Sequence, residues 1–467
     1  MLFSGTVFLL LFLPLLLLIY FICPKRYLSA RNIVLIVFSL VFYSFGGIRY
    51  TALLLLSVLL NYLGAIGITV SARHSIRRRT VMMLTVTANL VMLGYYKYAT
   101  FAVSIANSLG GSFTVPEIVL PLGISFYTFQ GMSYLLDVYT GKSRVQKNPF
   151  LVLLYIILFP QLVAGPIVNY SDIADELSER EHNLTGFSEG VTRFMLGFGK
   201  KMILSGAMGE IADEVFRIPL AELPASAAWV GAFAYLFQIY FDFSGYSDMA
   251  IGLGRIFGFR FPENFNYPYI ADSVTDFWRR WHITLSRWFR DYVYIPLGGN
   301  RCSVPRQIRN LLVVWFLTGL WHGANWTFIV WGLYYAAFLL LEKFVFKDIL
   351  TKVPKFLRHA GTLLIVLCGW VFFRAESLTA AVSYLSSMFG FGQAVSAGQA
   401  EYYLRQYWIE WLLCAAASVP LVPWMKERFS ERTWAYTAGK TCTWLIFLYS
   451  YIKLVTSSFN PFIYFHF

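Results

Sequence analysis

The sequence predicts an all-α polytopic membrane protein, with about eleven transmembrane helices plus re-entrant and interfacial helices. Three observations carry this. Of 467 residues, 58% are hydrophobic and 13% charged, against about 25% charged in a soluble domain. The apolar residues come in long continuous runs, whereas an outer-membrane barrel needs short alternating segments. The 38 lysines and arginines sit in short clusters between those runs, so the net charge of +13 reads as orientation by the positive-inside rule rather than as a nucleic-acid footprint.

Taken in order, the run Thr6–Cys23 is long enough to span and no charge precedes Lys25. A signal peptide would show a basic start, a shorter apolar core and a small-residue cleavage site. The run therefore reads as an uncleaved first span. Further runs follow at Asn32–Gly46, Thr51–Val70 and Thr80–Tyr96. The loops carrying Lys25, Arg26 and Arg31, and then Arg73, Arg77, Arg78 and Arg79, are basic, with a short turn at Gly46–Tyr50 between them. Basic loops belong in the cytoplasm, which puts the N-terminus outside. A span around Pro121–Val138 leads back to Lys142, Arg144 and Lys147, and the alternation holds.

Leu151–Val168 is apolar but carries Pro160 and Pro166, the pattern of a broken or re-entrant helix. Such backbone is tolerated at membrane depth only where it is buried or lines a cavity. Tyr170–His182 is polar and acidic, a surface helix or loop. Phe187–Met208 and Ala227–Phe257 are further spans, the second followed by the Pro- and Asn-rich turn FRFPENFNYPY. Leu311–Leu341 is long enough for two elements, and Gly361–Phe373, Trp408–Val422 and Trp444–Val455 complete the series. With no internal repeat and no long linker, residues 1–467 read as one membrane-embedded domain. The five cysteines, Cys23, Cys302, Cys368, Cys414 and Cys442, are odd in number and lack any CxxC spacing. They read as small core residues.

The stretch DSVTDFWRRWHITLSRWFRDYVYIPLGGN organises the rest. As a helix turning about 100° per residue, it puts Phe277, Trp278, Trp281, His282, Leu285, Trp288 and Phe289 on one arc and Arg279, Arg280, Arg287 and Arg290 on the other. Ser273 with Asp276 is a capping-box start, and Pro296, Gly298 and Gly299 end the run. Rings on one side and guanidinium groups on the other suit a membrane interface. The arginines either meet lipid phosphates or clamp an anionic cofactor with several phosphates. His282, at the edge of the arc, is a second base, a substrate-binding donor or the polar edge of the helix.

His322 lies in Leu311–Leu341, a run without a charged residue. An ionisable residue at that depth is a functional candidate, with a hydrogen-bonded core histidine as the alternative. A neutral imidazole there would suit a general base, and Gly323 beside it would permit close approach. No Asp or Glu occurs between Asp291 and Glu342, so a carboxylate orienting His322 must come from elsewhere in the fold. The segment QIYFDFSGYSDMAIGLG puts Gln238, Asp242, Ser244 and Asp248 among apolar residues. Its acids either pair with an arginine or relay protons, and the latter would favour a transporter. GFSEG (Gly186–Gly190) matches G-x-S-x-G but lacks the strand–turn–helix setting of a nucleophile elbow. The two histidines, without HxxxH or paired cysteines, give no zinc signature.

The segments FPQLVAGPI, YFDFSGYSDMAIGLGRIFGFRFPENFNYPY, DFWRRWHITLSRWFRDYVYIPLGGN, LTGLWHGANWTFIVWG and the tail NPFIYFHF resemble the bacterial membrane-bound O-acyltransferases. The nearest branch is the alginate O-acetyltransferase type, and the D-alanyl-lipoteichoic-acid transfer protein is more distant. The resemblance implies helices around a central tunnel in the bacterial inner membrane. An acyl group would enter from a cytoplasmic thioester, acetyl-coenzyme A in this branch, and leave on the outer face. There an esterase-like acyltransferase partner would place it on a polysaccharide. The histidine of W-H-G maps onto His322 as catalytic base and that of R-R-W-H onto His282 as its companion, with no metal. Arg279 and Arg280 would hold donor phosphates, and Trp281, Trp321, Asn325, Gln238 and Asp242 would complete the substrate-binding set. The competing readings are a transporter or flippase of a polysaccharide precursor, a scaffold for an exopolysaccharide synthesis complex, and D-alanyl transfer to teichoic acid.

Overall fold

Helices supply the regular structure, and no strand occurs among residues 1, 3–72, 75–391, 398–429 and 432–456, which the computed structural model describes. Arg73 and the tail NPFIYFHF lie outside the described residues. The chain divides into two compact units, Met1–Phe194 with Met249–Pro262, and Met195–Asp248 with Glu263–Phe467.

The first unit opens with a π-helical turn, Phe8–Phe12, running into α1 (Leu13–Ile22). Then come α2 (Leu28–Ser44), α3 (Ile48–Val70), α4 (Ile76–Ser108) and α5 (Ile124–Thr140). Pro160 does break the next run. α6 (Pro149–Ile157) stops at Leu158, α7 (Phe159–Leu162) is a single turn, and buried non-helical backbone leads to α8 (Tyr170–Ile173). An aromatic knot of Phe3, Phe8, Phe12, Phe42 and Phe159 packs with ring centroids 5.0–6.2 Å apart. Asn61 of α3 and Asn89 of α4 exchange reciprocal side-chain hydrogen bonds at 3.0 Å. Such amide pairs tie helices together where lipid gives no hydrophobic drive, at about 0.6 kcal/mol each. Leu56, Leu59 and Leu63 of α3 are exposed, as lipid-facing residues are.

α9 (Leu184–Gly199) and α11 (Ala225–Ile256) give residues to both units. After α9 a π-helical turn, Lys200–Ser205, joins α10 (Gly206–Phe216). Ser188 of the GFSEG sequence lies inside α9, so no nucleophile elbow forms there. The second unit continues with α12 (Val274–Arg280), α13 (Ile283–Phe289), α14 (Val304–His322) and α15 (Trp326–Phe344). They are followed by α16 (Lys347–Leu350), α17 (Lys355–Arg374), α18 (Leu378–Met388), α19 (Gly398–Gln406), α20 (Trp408–Ala417), α21 (Leu421–Phe429) and α22 (Thr433–Thr456). Three helices, α3, α15 and α17, are long and apolar enough to cross a bilayer, or up to four spans if the bent pair α20–α21 counts as one, among the described residues. Other expected spans take the form of shorter or charge-bearing helices. α1 and α2 are apolar but short, α11 carries Asp242 and Asp248, and α14 begins with Arg306 and Arg309.

α14 and α15 meet at two glycines. A Cβ on Gly332 would strike the Trp315 carbonyl oxygen and lie 3.2 Å from the Gly319 Cα, while one on Gly319 would strike the Phe328 carbonyl. Backbones this close require small residues. The crossing fixes His322, the last residue of α14, against α15.

Candidate functional site

The central stretch is not the single amphipathic helix its periodicity suggests. It is two helices of seven residues, α12 and α13, broken at Trp281 and His282. His282 is left-handed, with φ 42° and ψ 53°, a conformation costing an ordinary residue about 1–2 kcal/mol. The turn at Asn264–Asn266 takes over the hydrogen bonds that a continuous helix would make. Ile283 N–H donates to the Asn264 carbonyl at 2.9 Å, and Asn266 N–H donates to the Arg280 carbonyl at 2.9 Å. The expected buried arc survives the break, because Phe277, Trp278, Trp281, His282, Leu285, Trp288 and Phe289 are all buried. Two caps hold the start. Ser273 Oγ accepts Asp276 N–H at 3.0 Å, and the Glu342 carboxylate accepts Val274 N–H at 2.5 Å and Thr275 N–H at 2.9 Å. A carboxylate at a helix N-terminus satisfies free N–H groups and the helix dipole together.

Asn264 controls His282. It is fully buried, and its Oδ1 accepts from Thr284 Oγ at 2.9 Å and from Thr284 N–H at 3.4 Å. A backbone N–H can only donate, so the atom it faces is the amide oxygen. The Asn264 Nδ2 in turn donates to Ser247 Oγ of α11 at 3.0 Å. His282 Nδ1 lies 3.0 Å from that same Oδ1, and its proton is therefore on Nδ1. The other nitrogen, Nε2, is buried with no hydrogen-bond partner and presents a bare lone pair.

The two histidines flank one indole. Ring centroids are 5.9 Å apart for His282–Trp321 and 5.0 Å for Trp321–His322. The Trp331 and Phe373 rings wall in His322 at 5.0 and 5.1 Å, and the Phe243 ring meets His282 edge-on at 4.7 Å. The structure thus brings His282, His322 and Trp321 together in the second unit. Trp281 stacks into the same aromatic wall, 4.7 Å from Trp370 and 5.7 Å from Phe277.

The remaining candidates take different roles. Arg280 pairs with Asp276 at 2.9 Å and donates to the Asn266 carbonyl at 3.3 Å, whereas Arg279 is exposed. Asn325 caps α15 by accepting Thr327 N–H at 3.2 Å and ties the Glu376 carbonyl at 3.1 Å. Asp242 forms a buried ion pair with Lys201, and Asp248 pairs with Lys200 at 2.7 Å. Each acid thus has a lysine of the π-helical turn as an ion-pair partner. Gln238 is buried on α11, and its Oε1 has no hydrogen-bond partner. Among the described residues no group of His, Cys, Asp and Glu is arranged to hold a metal ion.

Asn264, Glu342 and Lys201 escaped the sequence reading. The Asn in FRFPENFNYPY was visible as a turn residue, but nothing local connects it to a histidine eighteen positions on. The lysines of Gly199–Lys200–Lys201 stood inside an apolar run and were the available signal for the acids.

Comparison with known proteins follows the same lines. Residues 143–386 match the membrane-bound O-acyltransferase family. A probable alginate O-acetylase of Azotobacter vinelandii is 40% identical over 100% of both chains. Its counterpart in Pseudomonas aeruginosa is 44% identical over 84% of this chain and 75% of its own. A peptidoglycan O-acetyltransferase of Helicobacter pylori is 36% identical over 84% of this chain and 80% of its own.

Proposed function

The chain belongs to the membrane-bound O-acyltransferase family and is an O-acyltransferase, and from that premise we propose that it carries acetyl groups across the bacterial inner membrane to a polysaccharide outside. The donor is acetyl-coenzyme A in the cytoplasm. An extracytoplasmic esterase-like acyltransferase partner completes O-acetylation, and the whole chain works as one membrane-embedded domain with its N-terminus outside. The acceptor class follows from the relatives, named for alginate and for peptidoglycan.

The observation that carries this reading is the pair of imidazoles on either side of Trp321. Acyl transfer to a hydroxyl needs a base and a dry path, because water would hydrolyse the thioester. The aromatic wall of Trp281, Trp321, Trp331, Trp370 and Phe373 supplies the dry lining. His322 takes the acceptor proton while that oxygen attacks the acyl carbonyl. The coenzyme thiolate leaves, and the proton ends on the leaving sulfur or in solvent. His282, its Nδ1–H held by Asn264, offers Nε2 as an acceptor to a second hydroxyl of the acceptor sugar, because the attacking hydroxyl gives its one proton to His322. Arg279, the exposed arginine of α12, is free to meet donor phosphates. Gln238 and Asp242 belong to the substrate-binding set in this reading, Gln238 through its buried, unpartnered Oε1.

The test is reconstitution of the wild type and His322→Gln in vesicles with radiolabelled acetyl-coenzyme A. Label is followed to water and to added acceptor, and the folding of each protein is checked by thermal unfolding. Transfer by the wild type and none by a folded His322→Gln supports the assignment. Equal rates in the two would remove His322 from the chemistry.

A further inference from the structure

Three basic groups of the first unit converge on one tyrosine, and a fourth, Lys25, joins them through His182. Arg31, at the start of α2, is only 2% exposed, and its guanidinium lies 5.0 Å from the Tyr20 ring centroid and 5.6 Å from that of Phe21. Arg180 donates from Nη2 to the Tyr20 hydroxyl at 3.4 Å and to Asn32 Oδ1 at 2.6 Å, and stacks on Phe259 at 4.3 Å. His182 Nε2 lies 2.7 Å from the Tyr20 hydroxyl, and Lys25 Nζ donates to the His182 carbonyl at 2.9 Å.

The positive charge there lacks a counter-ion in direct contact. No carboxylate forms an ion pair with Lys25, Arg31 or Arg180 among the described residues. The Glu176 carboxylate attracts Arg180 without forming an ion pair; its backbone carbonyl accepts from Arg180 Nη1 at 2.9 Å, and the carboxylate itself accepts Arg260 N–H at 2.9 Å. Arg31 spends Nε and Nη2 on the Cys23 carbonyl at 3.0 and 2.8 Å. Its buried Nη1 has no hydrogen-bond partner, and neither does Arg180 Nε. A buried guanidinium with an unspent N–H and no counter-ion is costly unless an anion completes it. Burial, and after it repulsion from Arg31, Arg180 and Lys25, holds the His182 imidazole down at about 4, so it stands neutral among these cations.

We propose that Lys25, Arg31, Arg180 and His182, gathered around Tyr20, form a phosphate-binding site in the first unit. Guanidinium N–H groups suit phosphate oxygens, and the exposed Lys25 beside them supplies an approach charge. The basic loop holding Lys25 and Arg26 is the one the charge pattern assigns to the cytoplasm, where two carriers of this group occur. One is the headgroup of an anionic phospholipid, and the other is the phosphate of a nucleotide-bearing thioester. The inference does not depend on the acyl-transfer reading, since it concerns binding alone.

The full chain is placed in zwitterionic lipid nanodiscs and titrated separately with coenzyme A, with inorganic pyrophosphate, and with increasing phosphatidylglycerol. Thermal unfolding and direct binding are the readouts. The wild type is expected to respond to at least one of the three, and Lys25→Gln and Arg180→Gln to weaken that response about tenfold, as loss of a charged hydrogen bond does. Response to phosphatidylglycerol alone identifies the lipid, and response to coenzyme A without it identifies the thioester carrier. Arg31→Gln is a third variant only, because that side chain also holds the Cys23 carbonyl. A wild type indifferent to all three probes, or undiminished response in both Lys25→Gln and Arg180→Gln, overturns the site.

Discussion

Asn264 and His282 meet through Oδ1 and Nδ1 at 3.0 Å, and this contact sets which imidazole nitrogen is free. An Asn264→Leu variant removes the acceptor and releases the tautomer, so turnover should drop by about 10²-fold, the lower end of what a positioned proton-transfer group contributes. Asn264→Asp keeps an acceptor at the same place and should retain much more activity. Nitrogen-15 spectra of labelled histidine read the tautomer directly. A single Nδ1–H form in the Leu variant would contradict the assignment.

His282 and His322 share Trp321, and their effects should not add. If they act on one acceptor, the double variant His282→Gln/His322→Gln should be no slower than the worse single variant. Each single loss should be about 10²–10⁴-fold. Full multiplication of the two losses would mean two separate sites.

The Lys201–Asp242 pair is buried on both sides, at 2% exposure each. Lys201→Met removes the paired cation from a buried carboxylate and should cost about 3–5 kcal/mol, whereas Lys201→Met/Asp242→Leu should recover most of it. Unfolding temperatures in detergent compare the two. A double variant as unstable as the single one would show that the pair does more than neutralise itself.

The α14–α15 crossing tolerates no added side chain. Gly332→Ala should destabilise by about 1–3 kcal/mol through overpacking against the Trp315 carbonyl, and it should disturb the His322 end of α14. Unchanged unfolding and unchanged turnover would show that the helices move apart freely.

His182 gives a pH dependence. Its folded value of about 4 lies below the ordinary 6.5, so the unfolded chain binds the proton more readily. The contribution to stability is intact above pH 6.5 and is lost as the pH falls toward 4. In His182→Asn the unfolding temperature should fall less steeply over that window. Matching slopes in variant and wild type would exclude the effect.

Much of this was legible in the chain, for local reasons. Apolar runs and basic loops mark the helices, Pro160 marks the break after α6, and Ser273 marks the start of α12, each through neighbours within a turn or two. The buried arc from Phe277 to Phe289 was readable because the side chains keep their inward positions on both sides of the break. The break itself was not. It arises from the Asn264–Asn266 backbone, which competes for the hydrogen bonds of residues 280 and 283 from a separate part of the chain. The capping of α12 by Glu342 and the lysine partners of Asp242 and Asp248 are likewise products of tertiary folding. No spacing rule reaches across such separations. The same holds for the meeting of His282 with His322, forty positions apart, which the resemblance suggested and periodicity could not.

The left-handed backbone at position 282 also bears on how the protein can be engineered. Glycine is favoured most at such a φ, and asparagine, aspartate and histidine are the side chains enriched there, so the imidazole is tolerated rather than preferred. A sequence optimiser scoring backbone fit would therefore replace His282, and a variant such as His282→Asn would satisfy the local geometry while deleting the ring that faces Trp321. Thermostability and turnover would be selected in opposite directions at this one residue. Consensus or design programmes aimed at a sturdier enzyme should hold position 282 fixed.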